Sequence, residues 1–232
     1  MSLLTACQAC IKETGVGAVP STIISNTDAT AVQLNALAER AAKYLMRRNW
    51  QKMVREHTIT TVATTATYAL PSDWARYISE TAWDATNYWP MRGSLDPQMW
   101  TALKRGIVTI ASGRKQFRVY GNLVQIIPTP DTSDESLIIE YLRNTPWTDS
   151  TGVTYRTAAT ADADITVFPE VLLELELIWR WKREKGLSYA DERKDADDMT
   201  ALLFAQDTPA PIIDYGTSPT PPYLPNVPES IS

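Results

Sequence analysis

Apolar residues recur every three or four positions at both ends of this chain, but every second position through much of its middle. A helix aligns side chains at about 3.6 residues per turn and a strand at two, so one regular element cannot serve both textures. The sequence therefore predicts an α+β fold. A helical bundle is built from the N- and C-terminal helices, an antiparallel β domain is inserted between them, and an extended tail follows.

At the start, Leu3, Leu4, Cys7 and Ile11 keep helical spacing, and Gly15 with Gly17 ends the segment. The loop "STIISNTDAT" offers Asn26 or Thr27 as N-cap of a second helix running to about Asn49. Its apolar stripe is Leu34, Leu37, Ala38, Ala41, Tyr44 and Leu45. From about Met53 to Leu142 the chain breaks into short β-branched and aromatic runs. "HTITTVAT" and "TYALP" read as a hairpin, "FRVYGNLVQIIP" as two strands around Gly121-Asn122, and "SLIIEYL" as a further strand. One helix interrupts them, with Asp96 as N-cap, Pro97 in its first turn and Gly106 at its end. Residues 144–164, rich in Thr, Ala and Asp, read as a long loop or irregular hairpin.

Two helices follow, "PEVLLELELIWRWKREKG" from Pro169 and "SYADERKDADDMTALLFAQ" capped by Ser188. The expected boundaries are a discontinuous helical domain of residues 1–52 and 165–206, a β-rich domain of 53–164, and a proline-rich tail of 207–232. The first of the two helices has two apolar stripes. Val171, Leu172, Leu175, Ile178 and Trp179 form one; Leu173, Leu177 and Trp181 form the other. Either the helix is buried on two sides within one subunit, or the Leu173–Leu177–Trp181 row faces a neighbouring copy.

Chemistry is thinly signalled. The formal net charge of −5 argues against a general nucleic-acid binder. No apolar run spans a bilayer, and "MSLLTACQAC" lacks the pattern of a signal peptide, so an intracellular, soluble product with reduced thiols is expected. Cys7-x-x-Cys10 lies within a helix, with His57 the one histidine available to a metal, so the thiols read as packing residues. "GVGAVP" follows a helix rather than a strand and is no dinucleotide fingerprint. Arg47, Arg48, Lys52 and Arg55 read as a solvated helix end, and "GRKQFRVYGN" departs from the order of a ribonucleoprotein strand. Glu170, Glu174 and Glu176 are candidate hydrolase acids, with solvent pairing on a charged helix as the plainer reading. Catalytic residues, cofactors and metals are therefore assigned to none. Among eight tryptophans, Trp74, Trp83, Trp89, Trp100 and Trp147 fall in the β region, as core or as interface anchors.

The tail, "TPAPIIDYGTSPTPPYLPNVPES", excludes helix and central strand by its prolines. It nevertheless carries Ile212, Ile213, Tyr215, Tyr223 and Leu224, apolar residues suited to a partner.

The strings "TDATAVQLNALAERAAKYLMRRNWQ", "YALPSDWARYISETAWD", "NYWPMRGSLDPQMWTALK", "FRVYGNLVQIIPTP" and "IIEYLRNTPW", in this order, resemble the head–tail adaptors (connectors) of tailed bacteriophages, the tail-tubular-protein-A-like group. The resemblance runs to about residue 206, and "LPSDWARYI" with "WPMRGSLDPQMW" is its most specific part. It implies a homo-oligomeric ring, usually a dodecamer, at the head–tail junction of the virion, assembled in the host cytoplasm. The ring's partners are the portal protein and a downstream tail or nozzle protein. Double-stranded DNA passes through the lumen without specific binding, and no membrane is involved. The tail then becomes an arm docking on the portal: about 25 residues in extended form reach roughly 75–80 Å, and repetition around a ring adds avidity. The rival classes are a virion-borne peptidoglycan hydrolase and a non-virion binding module whose "SPTPPYLP" feeds a proline-recognition partner.

Overall fold

A computed structural model describes residues 2–105 and 114–207. The elements in chain order are α1 (Leu3–Thr14), α2 (Ala29–Leu45), β1 (Val54–Thr60), β2 (Thr67–Ala69), β3 (Trp74–Tyr77), β4 (Trp83–Asp84), β5 (Trp89–Pro90) and α3 (Pro97–Arg105). They continue with β6 (Gln116–Tyr120), β7 (Leu123–Ile127), β8 (Ser136–Arg143), β9 (Trp147–Thr148), β10 (Tyr155–Arg156), β11 (Ile165–Thr166), α4 (Glu170–Glu184) and α5 (Ala190–Asp207). The fold is α+β, with N- and C-terminal helices flanking a β region.

Local chemistry sets the helix ends. Ser2 accepts the Thr5 N–H at the start of α1, and Gly15, in the left-handed region at φ 64°, closes it by donating to the Ile11 carbonyl. The N-cap of α2 is Asp28 rather than Asn26 or Thr27. Its carboxylate accepts from the Thr30 and Ala31 N–H groups, while Asn26 accepts from the Asp28 N–H. α2 stops at Leu45, short of the expected Asn49, because Trp50 turns inward. Its indole N–H donates to the Leu45 carbonyl at 2.8 Å, and its ring packs on Phe168 and Phe204. Before α5 the Tyr189 carbonyl accepts the Arg193 N–H, so the helix begins just beyond Ser188.

The helical core joins α1, α2 and α4 around Leu3, Cys7, Cys10, Ile11, Leu34, Leu37, Leu177 and Trp181. On its other side α4 contributes Leu172 to a cluster with Leu45, Trp50, Met53, Leu142 and Phe168, against which Met199, Leu203 and Phe204 of α5 pack. Leu142 belongs to β8, so this second cluster ties the helices to the β region.

β8 is the centre of the main sheet. β1 lies along one edge in antiparallel register from Val54↔Leu142 to Thr60↔Ser136, and β3 and β4 share the other edge. The order β2-β7-β6 makes a second sheet, with the expected tight turn at Gly121. The expected hairpin between "HTITTVAT" and "TYALP" does not form: β1 pairs with β8, and β2 pairs with β7. Ile59 and Tyr68 instead face one core shared by the two sheets, with Phe117, Val124, Ile126, Leu137 and Ile139. Gly93 is needed here, since a Cβ on it would lie 2.5 Å from the Phe117 carbonyl oxygen.

Residues 144–166 are more ordered than their composition announces. β10 and β11 flank β9, and Trp147 of β9 is buried in the helical core. The aspartates act as backbone acceptors in place of a regular ladder. Asp149 takes the N–H groups of Thr151, Val153 and Thr154; Asp162 takes those of Ile23 and Ile24; Asp164 takes those of Thr160 and Ala161 and pairs with Arg156.

Candidate interaction surfaces

The tail positions Ile212, Ile213, Tyr215, Tyr223 and Leu224 lie outside the described residues. Leu173, Leu177 and Trp181 pack into the helical core. All three are buried within the subunit, and the Trp181 indole donates to the Val16 carbonyl. α4 is thus buried on two sides, with Ile178 joining the same core as that row and Leu172 the cluster against which α5 packs, while Val171 of the other stripe is exposed.

The tryptophans divide. Trp147 is in the helical core, Trp100 is buried, and Trp74 stacks on Tyr141 with ring centroids 4.9 Å apart. Trp89 remains outside at 42% exposure, beside Tyr88 at 80%, on the turn from β4 to β5. The Arg114 guanidinium lies 4.6 Å from the Trp89 ring centroid. Tyrosine, tryptophan and arginine side by side are the residue types that anchor protein interfaces.

This turn is held from beneath. The Asp84 carboxylate accepts from the Thr86 and Asn87 N–H groups and from the Asn87 side-chain amide. It also receives the Lys115 ammonium at 2.9 Å, and the same ammonium donates to Glu135 at 3.0 Å. Burial pushes the Asp84 carboxyl up, but the bonds from Asn87 and Lys115 outweigh it and hold the group below the ordinary carboxylate range. Burial likewise disfavours the Lys115 ammonium, and its two carboxylates more than restore it, raising its pKa. A cavity of about 350 Å³ opens between these groups and Pro128, Thr129 and Pro130. Tyr88 follows this network at φ 59°, in the left-handed region, where the chain turns back into β5. Sequence reading missed Asp84, Lys115 and Glu135. The signal it contained was local: an aspartate followed at two and three positions by Thr and Asn marks an Asx turn.

The other candidates have structural settings. Burial raises the Cys7 and Cys10 thiols to about 12, and both sit in the apolar core. Glu170 is exposed at the start of α4. Glu176, expected to pair with Arg180 at the surface, is instead buried with it, and the Trp179 indole N–H also donates to Glu176. Glu174 lies on the opposite side of α4 from Glu176, so the two do not face each other across a cleft. Arg48 lies over the Phe204 ring and Arg55 over Tyr155. His57, in β1, is held below its ordinary pKa by burial. Among the described residues no three His, Cys, Asp or Glu side chains are grouped to hold a metal, and no helix is long and apolar enough to cross a membrane.

Among the described residues, the exposed aromatic and arginine side chains of Tyr88, Trp89 and Arg114 stand above a hydrogen-bonded turn. The SU10 adaptor protein family matches residues 2–209, nearly the whole chain, and the chain belongs to that family. No curated protein matches it.

Proposed function

We propose that this chain is the structural head-to-tail adaptor of a tailed bacteriophage, forming a dodecameric ring that joins the portal to the tail and leaves a channel for DNA. The family match over residues 2–209 carries the reading. The acidic balance of the chain suits a channel that passes DNA without gripping it. In this arrangement the Tyr88–Trp89–Arg114 ridge meets the downstream tail or nozzle protein, and the tail with Ile212, Ile213, Tyr215, Tyr223 and Leu224 docks on the portal. The working site is the head–tail junction of the virion.

The deciding experiment is quantitative mass spectrometry of purified particles, comparing this chain with the portal protein. A copy ratio near unity supports a ring matched to the portal; absence from particles removes the adaptor reading. Truncation after Gln206 tests the arm. It is expected to abolish portal binding with an unchanged circular dichroism spectrum, and undiminished binding would take the tail out of docking.

A further inference from the structure

The helical body carries opposite charges on opposite flanks. One flank is a cleft of about 510 Å³ between α2, α4 and α5. α2 lends it Arg40 and Lys43, the turn after α2 adds Arg47, and α4 and α5 add Arg183 and Arg193. Its floor is aromatic: Arg183 and Arg193 lie over the Trp179 ring, and Arg47 lies over Tyr44. Arg180 beneath is drawn down to about 10 by burial, so it remains charged at neutral pH. Glu39 and Asp197 are the two carboxylates in the lining, against six cations. Lys43 and Arg47 have no carboxylate partner among the described residues. Arg40 and Arg183 pair with Glu184, Arg180 with Glu176 and Arg193 with Asp197, so the surplus positive charge of the cleft, in a chain of net charge −5, rests on Lys43 and Arg47.

The other flank is the outer face of α5. Asp191, Asp195 and Asp198 recur at i, i+4 and i+7, all exposed, and the row ends at Leu202, which is 54% exposed. None of the three carboxylates has an ion-pair partner among the described residues. On the same helix Arg193 and Asp197 face the cleft, while Ala196 and Thr200 are buried. At about 100° per residue the acidic row lies nearly opposite Arg193 and Asp197.

We infer that the α5 acidic row of one copy seats in the cationic cleft of the next. Charge complementarity selects the occupant, since the chain itself supplies an unpaired acidic row of helical pitch. Position selects the symmetry. Two complementary patches on opposite flanks cannot both be satisfied by one partner in a two-fold pair, so each copy engages two neighbours head to tail, the kind of contact that gives a ring when the rotation between copies closes. Leu202 and the Trp179–Tyr44 floor give the contact apolar ends to bury. The inference rests on the ring proposed above and names the surfaces that make it.

The test uses the full chain, purified portal rings and two charge-reversed variants. One is Asp191→Lys/Asp195→Lys/Asp198→Lys; the other is Arg40→Glu/Lys43→Glu/Arg47→Glu. All six positions are exposed, and circular dichroism checks that each variant folds. Copies bound per portal are counted by sedimentation and mass. Each variant alone is expected to assemble about ten- to a hundredfold more weakly than the unaltered chain, as three unlike contacts become like. An equimolar mixture should restore assembly, because each altered surface then meets its complement in alternating order. Assembly of the unaltered chain should weaken as salt rises from about 0.05 M to about 0.5 M. Full rings from either variant alone, or no recovery on mixing, overturn the contact while leaving the ring standing. Loss with the cleft variant only assigns the cleft to another anion, such as DNA phosphate or a portal segment, and also overturns it. Failure of the unaltered chain to form rings on portals would count against the ring itself.

Discussion

α4 and α5 are consecutive, in contact, and both rich in charge, yet they live in different environments. α4 is enclosed on two sides and takes even Glu176 and Arg180 into the interior. α5 buries a narrow line, Ala196 and Thr200 with Met199 and Leu203 beside them, and leaves its acidic face to solvent. The difference lies in what flanks the charges. In α4 Glu176 lies between Leu175 and Leu177 and Arg180 between Trp179 and Trp181, and burying those apolar neighbours carries the two charges inward, where they must pair. In α5 the charges crowd into Asp191–Asp198 with Ala196 alone between them, and its small apolar area cannot offset the desolvation of a carboxylate.

The sharpest way to break this contrast is Trp181→Ala. It empties a large buried site and leaves the Val16 carbonyl without its donor. A loss of up to about 5 kcal/mol is expected, read from the denaturant midpoint; a loss near zero would mean the row is not core. Next comes Arg180→Met, which strands the Glu176 carboxylate inside α4 and should cost about 3 kcal/mol, with Glu176→Leu/Arg180→Met recovering most of it.

The β region offers a parallel case. Lys115→Met leaves Asp84 and Glu135 without their cation and should cost about 2–3 kcal/mol at neutral pH. The folded-state pKa of Asp84 is lowered, so its contribution is present above about pH 4 and is lost as pH falls through the lower folded value. That of Lys115 is raised, so its contribution holds below its ordinary value of 10.5 and is lost only as pH rises through the higher folded value. The gap between Lys115→Met and the unaltered chain should therefore narrow on acidification to about pH 3, as paired denaturation curves would show; a gap independent of pH would mean the triad is not charged.

The smallest effects belong to the surface. Asp191→Ala/Asp195→Ala/Asp198→Ala, and separately Tyr88→Ala/Trp89→Ala, should each alter stability by no more than about 0.5 kcal/mol per residue. The second pair is expected to weaken binding to the downstream tail component, measured by calorimetry; a destabilised fold in either case would make that face core after all.

Much of this was readable locally. Helix α1 follows from Leu3, Cys7 and Ile11 with Gly15 behind them, α3 from Asp96 and Pro97, and the β6–β7 hairpin from Gly121-Asn122. Each depends on residues a few positions apart, which is the range over which backbone sterics and caps act. The interior fate of Glu176 was not readable, since an i,i+4 ion pair looks the same in solvent and in a core.

By itself, then, the sequence determined the element types, most of their ends, the apolar packing of Cys7 and Cys10, and the family resemblance. Only the tertiary structure decided that β1 would pair with β8 rather than β2, that α4 would be covered on both sides, that aspartates would organise residues 144–166, and that Asp84, Lys115 and Glu135 would meet under one turn. The reason is range. Local conformation is fixed by neighbours along the chain, whereas pairing, burial and the meeting of distant charges depend on which surfaces the whole fold brings together.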